Sequence, residues 1–232
     1  MNENLQRVRA LTFDLFGTVL DLGGSLTPPI AEFLRRQGSS ADAAQFWSQL
    51  RYRQRIEQYQ DTIVALGHSG YLETVRRAFV YVCRLNKLEP TAAAVDEWME
   101  SWKQLSAFPD AVPGLQRLKP RYKLVALSNG NPWFLDHLVK ERIKFPFDDV
   151  ISVEVAGAFK PHPGVYRRAA GILEMEVNEL LMVSSNSFDV MGARTCGLRG
   201  AYVNRYDLPF EDTPYLPDIT VRDFSELADA LL

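Results

Sequence analysis

The chain has 232 residues, 47% of them hydrophobic, and its 26 basic and 29 acidic side chains give a formal net charge of −3. That apolar content is enough for a proper core, in one large domain or in a core domain with a smaller insert. The charges are interspersed without a basic stripe, no apolar run approaches the roughly 18 residues of a membrane span, and Met1 to Arg7 lacks the apolar stretch of a signal peptide, so nucleic acid and membrane are excluded as expected partners and a cytoplasmic protein is expected.

The first run of strand length is Val8 to Asp14. It delivers Asp14 to a strand end where the Gly17-Thr18 turn opens a crevice, the arrangement a carboxylate nucleophile requires. Gly23-Gly24-Ser25 then reads as the close of this strand-turn unit. From Thr27 to about Phe108 the texture changes. Pro28 to Arg36, Ala43 to Ile63, Leu72 to Leu85 and Ala93 to Leu105 are long amphipathic segments with no convincing strand among them, which predicts a helical insert. Phe108-Pro109-Asp110-Ala111-Val112-Pro113-Gly114 is a proline-rich hinge, after which strands resume. Tyr122 to Leu127, Val150 to Val155, Leu180 to Ser184 and Gly200 to Val203 are short apolar or β-branched runs separated by helical periodicity, the alternation of a parallel sheet covered by helices. The expected organisation is a discontinuous core, residues 1–22 and 110–232, with a helical cap over 23–109. Cys83 and Cys196 lie far apart, without C-x-x-C spacing or a neighbouring His, and read as buried free thiols of a reducing compartment.

Three later strand ends finish in polar groups. Ser128-Asn129-Gly130 is by itself an ordinary turn, or else a hydroxyl and backbone N–H groups suited to a small anion. Lys160 is a solvated surface charge in the bland reading. Stiffened by Pro161 and Pro163 and held beside Asp14, it would instead steady the aspartate's charge and pair with a substrate carboxylate. Asp189, at the end of Ser184-Ser185-Asn186-Ser187-Phe188-Asp189, reads either as a helix N-cap or as a carboxylate brought to the converging strand ends.

Taken in order, D-x-x-G-T at Asp14 to Thr18, S-N-G at Ser128 to Gly130, K-P-x-P-x-V-Y at Lys160 to Tyr166 and S-S-N-x-F-D at Ser184 to Asp189 resemble the haloacid dehalogenase-like superfamily and, within it, the L-2-haloacid dehalogenases. The resemblance implies an α/β fold, a Rossmann-like parallel sheet core with an inserted helical cap domain. It also implies hydrolysis of small 2-haloacids, of haloacetate or 2-halopropionate type, to 2-hydroxy acids through an aspartyl ester. Asp14 would displace the halide, and Asp189 with Lys160 and Asn186 would arrange the water that cleaves the ester. By the same resemblance Thr18 and Ser184 orient Asp14, and Tyr166 buttresses Lys160. Ser128, Asn129 and neighbouring amides take the substrate carboxylate, and Phe16 and Phe188 shape the pocket. Arg51, in Leu50-Arg51-Tyr52-Arg53-Gln54, corresponds to the family's halide-binding arginine, with Arg53 as the alternative register; the bland reading of arginines 51, 53 and 55 is a solvated helix face.

Phosphatases of the superfamily carry D-x-D-x-T, whose second aspartate protonates the leaving alcohol, and a G-D-x-x-x-D-like loop whose carboxylates help hold Mg²⁺. Here Phe16 stands at the second aspartate and Ser184-Ser185 at the Gly-Asp pair, so neither metal nor cofactor is expected. A Mg²⁺-dependent phosphatase and a non-catalytic binding protein on the same fold are the alternatives. The implied partners are a halogenated carboxylic acid, water and, through an exposed apolar cap helix, a second copy of the chain. Which haloacid, which halogen and which enantiomer is left open.

Overall fold

The computed structural model describes residues 5–232, so Met1 to Asn4 of the N-terminal stretch lie outside it. β1 (Ala10–Phe13) is buried along its whole length and runs into a tight turn, after which β2 (Leu20–Asp21) pairs antiparallel with β3 (Ser106–Ala107). Between β2 and β3 lie α1 (Leu22–Arg36), α2 (Ala43–Ile63), α3 (Tyr71–Leu85) and α4 (Ala92–Met99), the last continued by a 3-10 turn over Glu100–Gln104. The two-residue ribbon ties the ends of this helical segment together. It escapes a reading of the sequence because two residues carry no periodicity.

The remainder alternates helix and strand: α5 (Ala111–Leu118), β4 (Lys123–Ser128), α6 (Pro132–His137), β5 (Asp149–Ser152), α7 (Pro163–Leu173), β6 (Leu180–Ser184), α8 (Ser187–Thr195), β7 (Arg199–Val203), β8 (Ile219–Val221) and α9 (Phe224–Leu231). Six of the strands form one sheet in the order β5-β4-β1-β6-β7-β8, every neighbouring pair parallel. β1, β4 and β6 read as near-continuous apolar runs because helices cover both faces of a parallel sheet. The order runs outward from β1 in both directions, which opens a crevice at the carboxyl ends of β1, β4 and β6.

Four expectations need correction. Gly23 and Gly24 do not close the first unit; they lie in the first turn of α1, where Asp21 Oδ1 accepts from Gly24 N at 2.9 Å as the N-cap. A Cβ on Gly24 would collide with the Asp21 carboxylate, so glycine lets the cap close. Pro28 and Pro29, which suggested a helix start, consequently sit inside α1. The strand expected to run to Val155 stops at Ser152, whose Oγ donates to Gly130 O at 2.7 Å and accepts from Glu154 N, turning Val153–Ala156 into a 3-10 turn. Of the two thiols, both free, Cys83 is buried but Cys196 only half-buried.

An aromatic layer joins the helices of residues 22–104 to the sheet edge. Phe16, just past β1, stacks on Tyr71 of α3 with centroids 4.0 Å apart and planes 7° from parallel, and also meets Phe134 and Trp102. Rings of this size contribute most of the buried area at such a junction. Among the described residues no helix is long and apolar enough to cross a membrane.

Candidate active site

Asp14 leaves β1 with its N–H bonded to Val183 O of β6 at 3.0 Å, so the neighbouring strand fixes its backbone. The chain then reverses through Gly17, whose φ of +88° is a conformation that side chains disfavour. That reversal brings Thr18 back, and its hydroxyl donates to Asp14 Oδ2 at 2.8 Å. Asn186 Nδ2 donates to the same oxygen at 2.9 Å and to Phe16 O at 3.3 Å. The other oxygen, Oδ1, meets Lys160 Nζ at 3.3 Å.

Lys160 is no surface charge: its side chain is 1% exposed, and Nζ also donates to Asp189 Oδ2 at 2.9 Å, so one ammonium bridges two carboxylates. Its backbone N–H is held by Asn129 Oδ1 at 3.0 Å. Asp189 is not the N-cap of α8; Asn186 holds that position. The Asp189 side chain turns inward instead, where Tyr166 of α7 donates to Oδ1 at 2.7 Å and to its backbone O at 3.1 Å. Burial pushes the Asp189 carboxyl up from its ordinary value, with Lys160 acting in the opposite sense and Asp14 reinforcing the rise.

Above these groups lies a small pocket lined by Asp14, Phe16, Lys160, Asn186, Phe188 and Asp189 from the sheet edge, by Asn129, and by Arg51, Arg55, Gln58 and Tyr71 from α2 and α3. The four motif strand ends therefore converge, but several residues lie differently from the sequence expectation. Ser184 Oγ accepts from Asn186 N at 3.1 Å and so positions Asn186 rather than Asp14. Tyr166 holds Asp189 rather than Lys160, and it stands behind the pocket wall. Ser128 is fully buried and does not line the pocket, and its hydroxyl has no partner among the described residues. Arg53 points to the opposite side of α2, where it pairs with Glu57.

Three pocket residues were missed: Arg55, Gln58 and Tyr71. For Arg55 a signal existed, since residues 51 and 55 stand one turn apart on α2 and share a face, whereas 53 does not. Arg55 donates to Asn186 Oδ1 at 3.2 Å and lies over the Phe188 ring at 5.4 Å. Burial and the nearby Arg51 both press its pKa down. Gln58 Oε1 accepts from Asn129 Nδ2 at 3.3 Å, tying α2 to the end of β4. Burial pushes the Tyr71 hydroxyl up to about 12.

A divalent cation fits this donor set poorly. Among the described residues no group of three or more His, Cys, Asp or Glu side chains is placed to hold a metal. The two facing carboxylates already share the Lys160 ammonium, and the neighbouring positions are Phe16 and Ser185.

Residues 8–197 match the family model for haloacid dehalogenase-like hydrolases. The chain is 31% identical to (S)-2-haloacid dehalogenase 4A of Burkholderia cepacia over 207 residues, 88% of this chain and 86% of that one. It is 28% identical to haloacetate dehalogenase H-2 of Moraxella sp. (strain B) over 222 residues, 94% and 95% of the respective chains. The fold superposes with a TM-score of 0.83 on the L-2-haloacid dehalogenase of Xanthobacter autotrophicus solved with chloropropionic acid covalently bound, at 26% identity and with 97% and 98% of the two chains covered.

Proposed function

Because the chain belongs to the haloacid dehalogenase-like hydrolase family, we propose that it hydrolyses the carbon–halogen bond of small 2-haloacids, of haloacetate or 2-halopropionate type, to 2-hydroxy acids without a metal. The observation that carries this reading is the single ammonium of Lys160 between Asp14 and Asp189, in a pocket that also holds two guanidiniums. A nucleophilic carboxylate, a second carboxylate for water and positive charge for anions are what the two half-reactions need.

In the first half-reaction Asp14 attacks the carbon bearing the halogen, forming a C–O bond as the C–X bond breaks and halide departs with the electron pair. Asp14 Oδ2 is engaged by Thr18 and Asn186, while Oδ1 has one longer contact, so Oδ1 is the attacking atom. No acid is needed for an anionic leaving group, which makes Phe16 tolerable where a phosphatase places an aspartate. Arg51 receives the halide. In the second half-reaction Asp189 takes a proton from water as its oxygen adds to the ester carbonyl of Asp14; the carbonyl–alkoxy bond then breaks, the 2-hydroxy acid leaves with the Asp189 proton on its oxygen, and Asp14 ionises again. Both Asp189 oxygens are hydrogen-bonded, yet each retains a lone pair for this step. Residues 1–22 and 110–232 form the core in this reading, and 23–109 the lid; a cytoplasmic location and a homodimer complete it.

The test is halide release from chloro-, bromo- and fluoroacetate and from both enantiomers of 2-chloropropionate, with and without EDTA. Turnover of at least one of these at a rate indifferent to the chelator is expected. Efficient Mg²⁺-dependent hydrolysis of a phosphate ester, with no halide from any haloacid, defeats the assignment.

A further inference from the structure

The charges lining the pocket do not cancel. Asp14 and Asp189 face Lys160, Arg51 and Arg55, a surplus of one positive charge. Among the described residues neither arginine has a carboxylate partner: Arg51 donates to Gln54 Oε1 at 2.6 Å and lies over Trp47, and Arg55 donates to Asn186 Oδ1 at 3.2 Å. A guanidinium has five donors, and the single contact to a neutral amide oxygen leaves Arg55, an exposed residue at the pocket's rim, with N–H groups that water holds until an anion enters. Both arginines also line a second pocket, with Trp47, Tyr206 and Leu208.

We propose that Arg55 is the residue that binds the substrate's carboxylate, leaving Arg51 for the halide. This rests on the dehalogenase reading above. The placement follows from the chain Arg55–Asn186–Asp14. Asn186 grips Oδ2 of the nucleophile with its Nδ2 while its Oδ1 accepts from Arg55, which sets Arg55 beside the Asp14 carboxylate on the side away from Lys160. In a haloacid the carboxylate is attached to the attacked carbon and lies to the side of the line of attack, whereas the halogen lies on that line, beyond the carbon. Arg55 is placed for the lateral group. Ser128, the position the resemblance assigns to this task, is fully buried and does not line the pocket.

The charge count supports the division. A singly charged haloacid cancels the surplus. When Asp14 becomes a neutral ester and halide leaves, the charge lost by Asp14 reappears on the halide, so the site stays balanced throughout. Two cations are then occupied by two different anions of the same reaction, one at each stage.

The experiment compares Arg55→Leu and Arg55→Lys with the wild-type enzyme on chloroacetate and on chloroacetamide, which keeps the reacting carbon but lacks the charge. If Arg55 binds the carboxylate, Arg55→Leu raises KM for chloroacetate by about tenfold or more and KM for chloroacetamide far less, and so collapses the preference for the acid, with Arg55→Lys restoring part of it. Inhibition by added chloride stays as in the wild type. An unchanged acid-to-amide ratio, or a loss confined to chloride inhibition, overturns the proposal and returns Arg55 to the halide or to a positioning role for Asn186. Acetate and glycolate binding, followed by titration calorimetry, separates this outcome from failure of the dehalogenase reading. If wild-type protein releases no halide at all, weaker acetate binding by Arg55→Leu still supports a carboxylate site, and equal binding rejects it.

Discussion

On one face of α2, Arg53 donates twice to Glu57, at 2.8 and 2.5 Å, and packs over Tyr81 at 4.1 Å. Arg77 of α3 approaches Glu57 at 3.3 Å and reaches the buried Asp61 at 3.0 Å. On the other face Arg51 and Arg55 meet only neutral acceptors. The same helix therefore carries a face in which each buried carboxylate has its cation and a face whose cations are left for something absent from the chain. Arg51 is half-buried and Arg55 exposed, so water solvates the guanidinium N–H groups that the protein leaves unpaired until an anion displaces it. The paired face holds α2 against α3, and the unpaired one is ready for a ligand. The Lys160 cluster combines both properties, an ammonium joined to two carboxylates that still face the pocket.

The largest effect expected is at Asp14. Asp14→Asn keeps the shape and the contacts to Thr18 and Asn186, but an amide is a far poorer nucleophile for carbon. Halide release should fall by about a thousandfold or more, roughly 4 kcal/mol in barrier, with the far-ultraviolet circular dichroism unchanged. Substantial release by a variant verified to remain Asn would mean that water attacks carbon directly.

Asp189→Asn should act later in the cycle. The first half-reaction persists at a reduced rate, hydrolysis of the ester slows, and intact-protein mass spectrometry should find the substrate's carboxyalkyl group on Asp14. The amide oxygen can still accept from Lys160, while Nδ2 donates to the Tyr166 hydroxyl, whose own proton turns to the backbone O of residue 189, so the site survives. A variant that loses the first step as completely as Asp14→Asn and never accumulates adduct would assign Asp189 to building the site alone.

The paired face predicts the converse, a stability effect without a chemical one. Arg77→Leu removes the cation nearest Asp61, which is 2% exposed, and leaves Ser69 as its neighbour. Breaking a buried pair from one side costs about 3–5 kcal/mol, reduced here to about 2 because Arg77 itself is one-third exposed. Thermal unfolding should shift down by about 5 °C while halide release per folded molecule is unchanged. Equal stability would show that water reaches Asp61 freely.

The four groups at strand ends, Asp14, Asn129, Lys160 and Asp189, were legible because each sits in a contiguous motif and because parallel strands deliver their carboxyl ends to one edge. What the motifs could not show is which atom each hydroxyl meets. Ser184 and Tyr166 went to neighbours of their expected partners, since side-chain torsions rather than sequence spacing decide that. Arg55, Gln58 and Tyr71 belong to no motif, and they reach the pocket only because α2 and α3 lie across the sheet edge. β2, β3 and β8, at two or three residues, are too short for alternation to register, and the prolines of α1 pointed to a start that Asp21 had already set.

A third arrangement of buried charge, between the paired and unpaired faces, gives the smallest effect and a sign that can be worked out. His68, in the loop joining α2 to α3, donates from Nε2 to Asn129 O at 2.8 Å, lies against Phe159 at 4.1 Å, and has Glu154 at 3.4 Å from Nδ1. Burial lowers its pKa below the ordinary 6.5, and the contacts to Asn129, Glu154 and Asp61 recover only part of the drop. The folded state then binds fewer protons than the unfolded one between the lowered value and 6.5, so stability is lost as the pH falls through that window. Thermal unfolding of the wild type should move down as the pH falls below the ordinary 6.5, and His68→Gln, which keeps a donor for Asn129 O but cannot titrate, should flatten that part of the curve. Identical slopes for wild type and His68→Gln would place the proton uptake elsewhere and leave the loop between α2 and α3 without a part in the enzyme's response to acid.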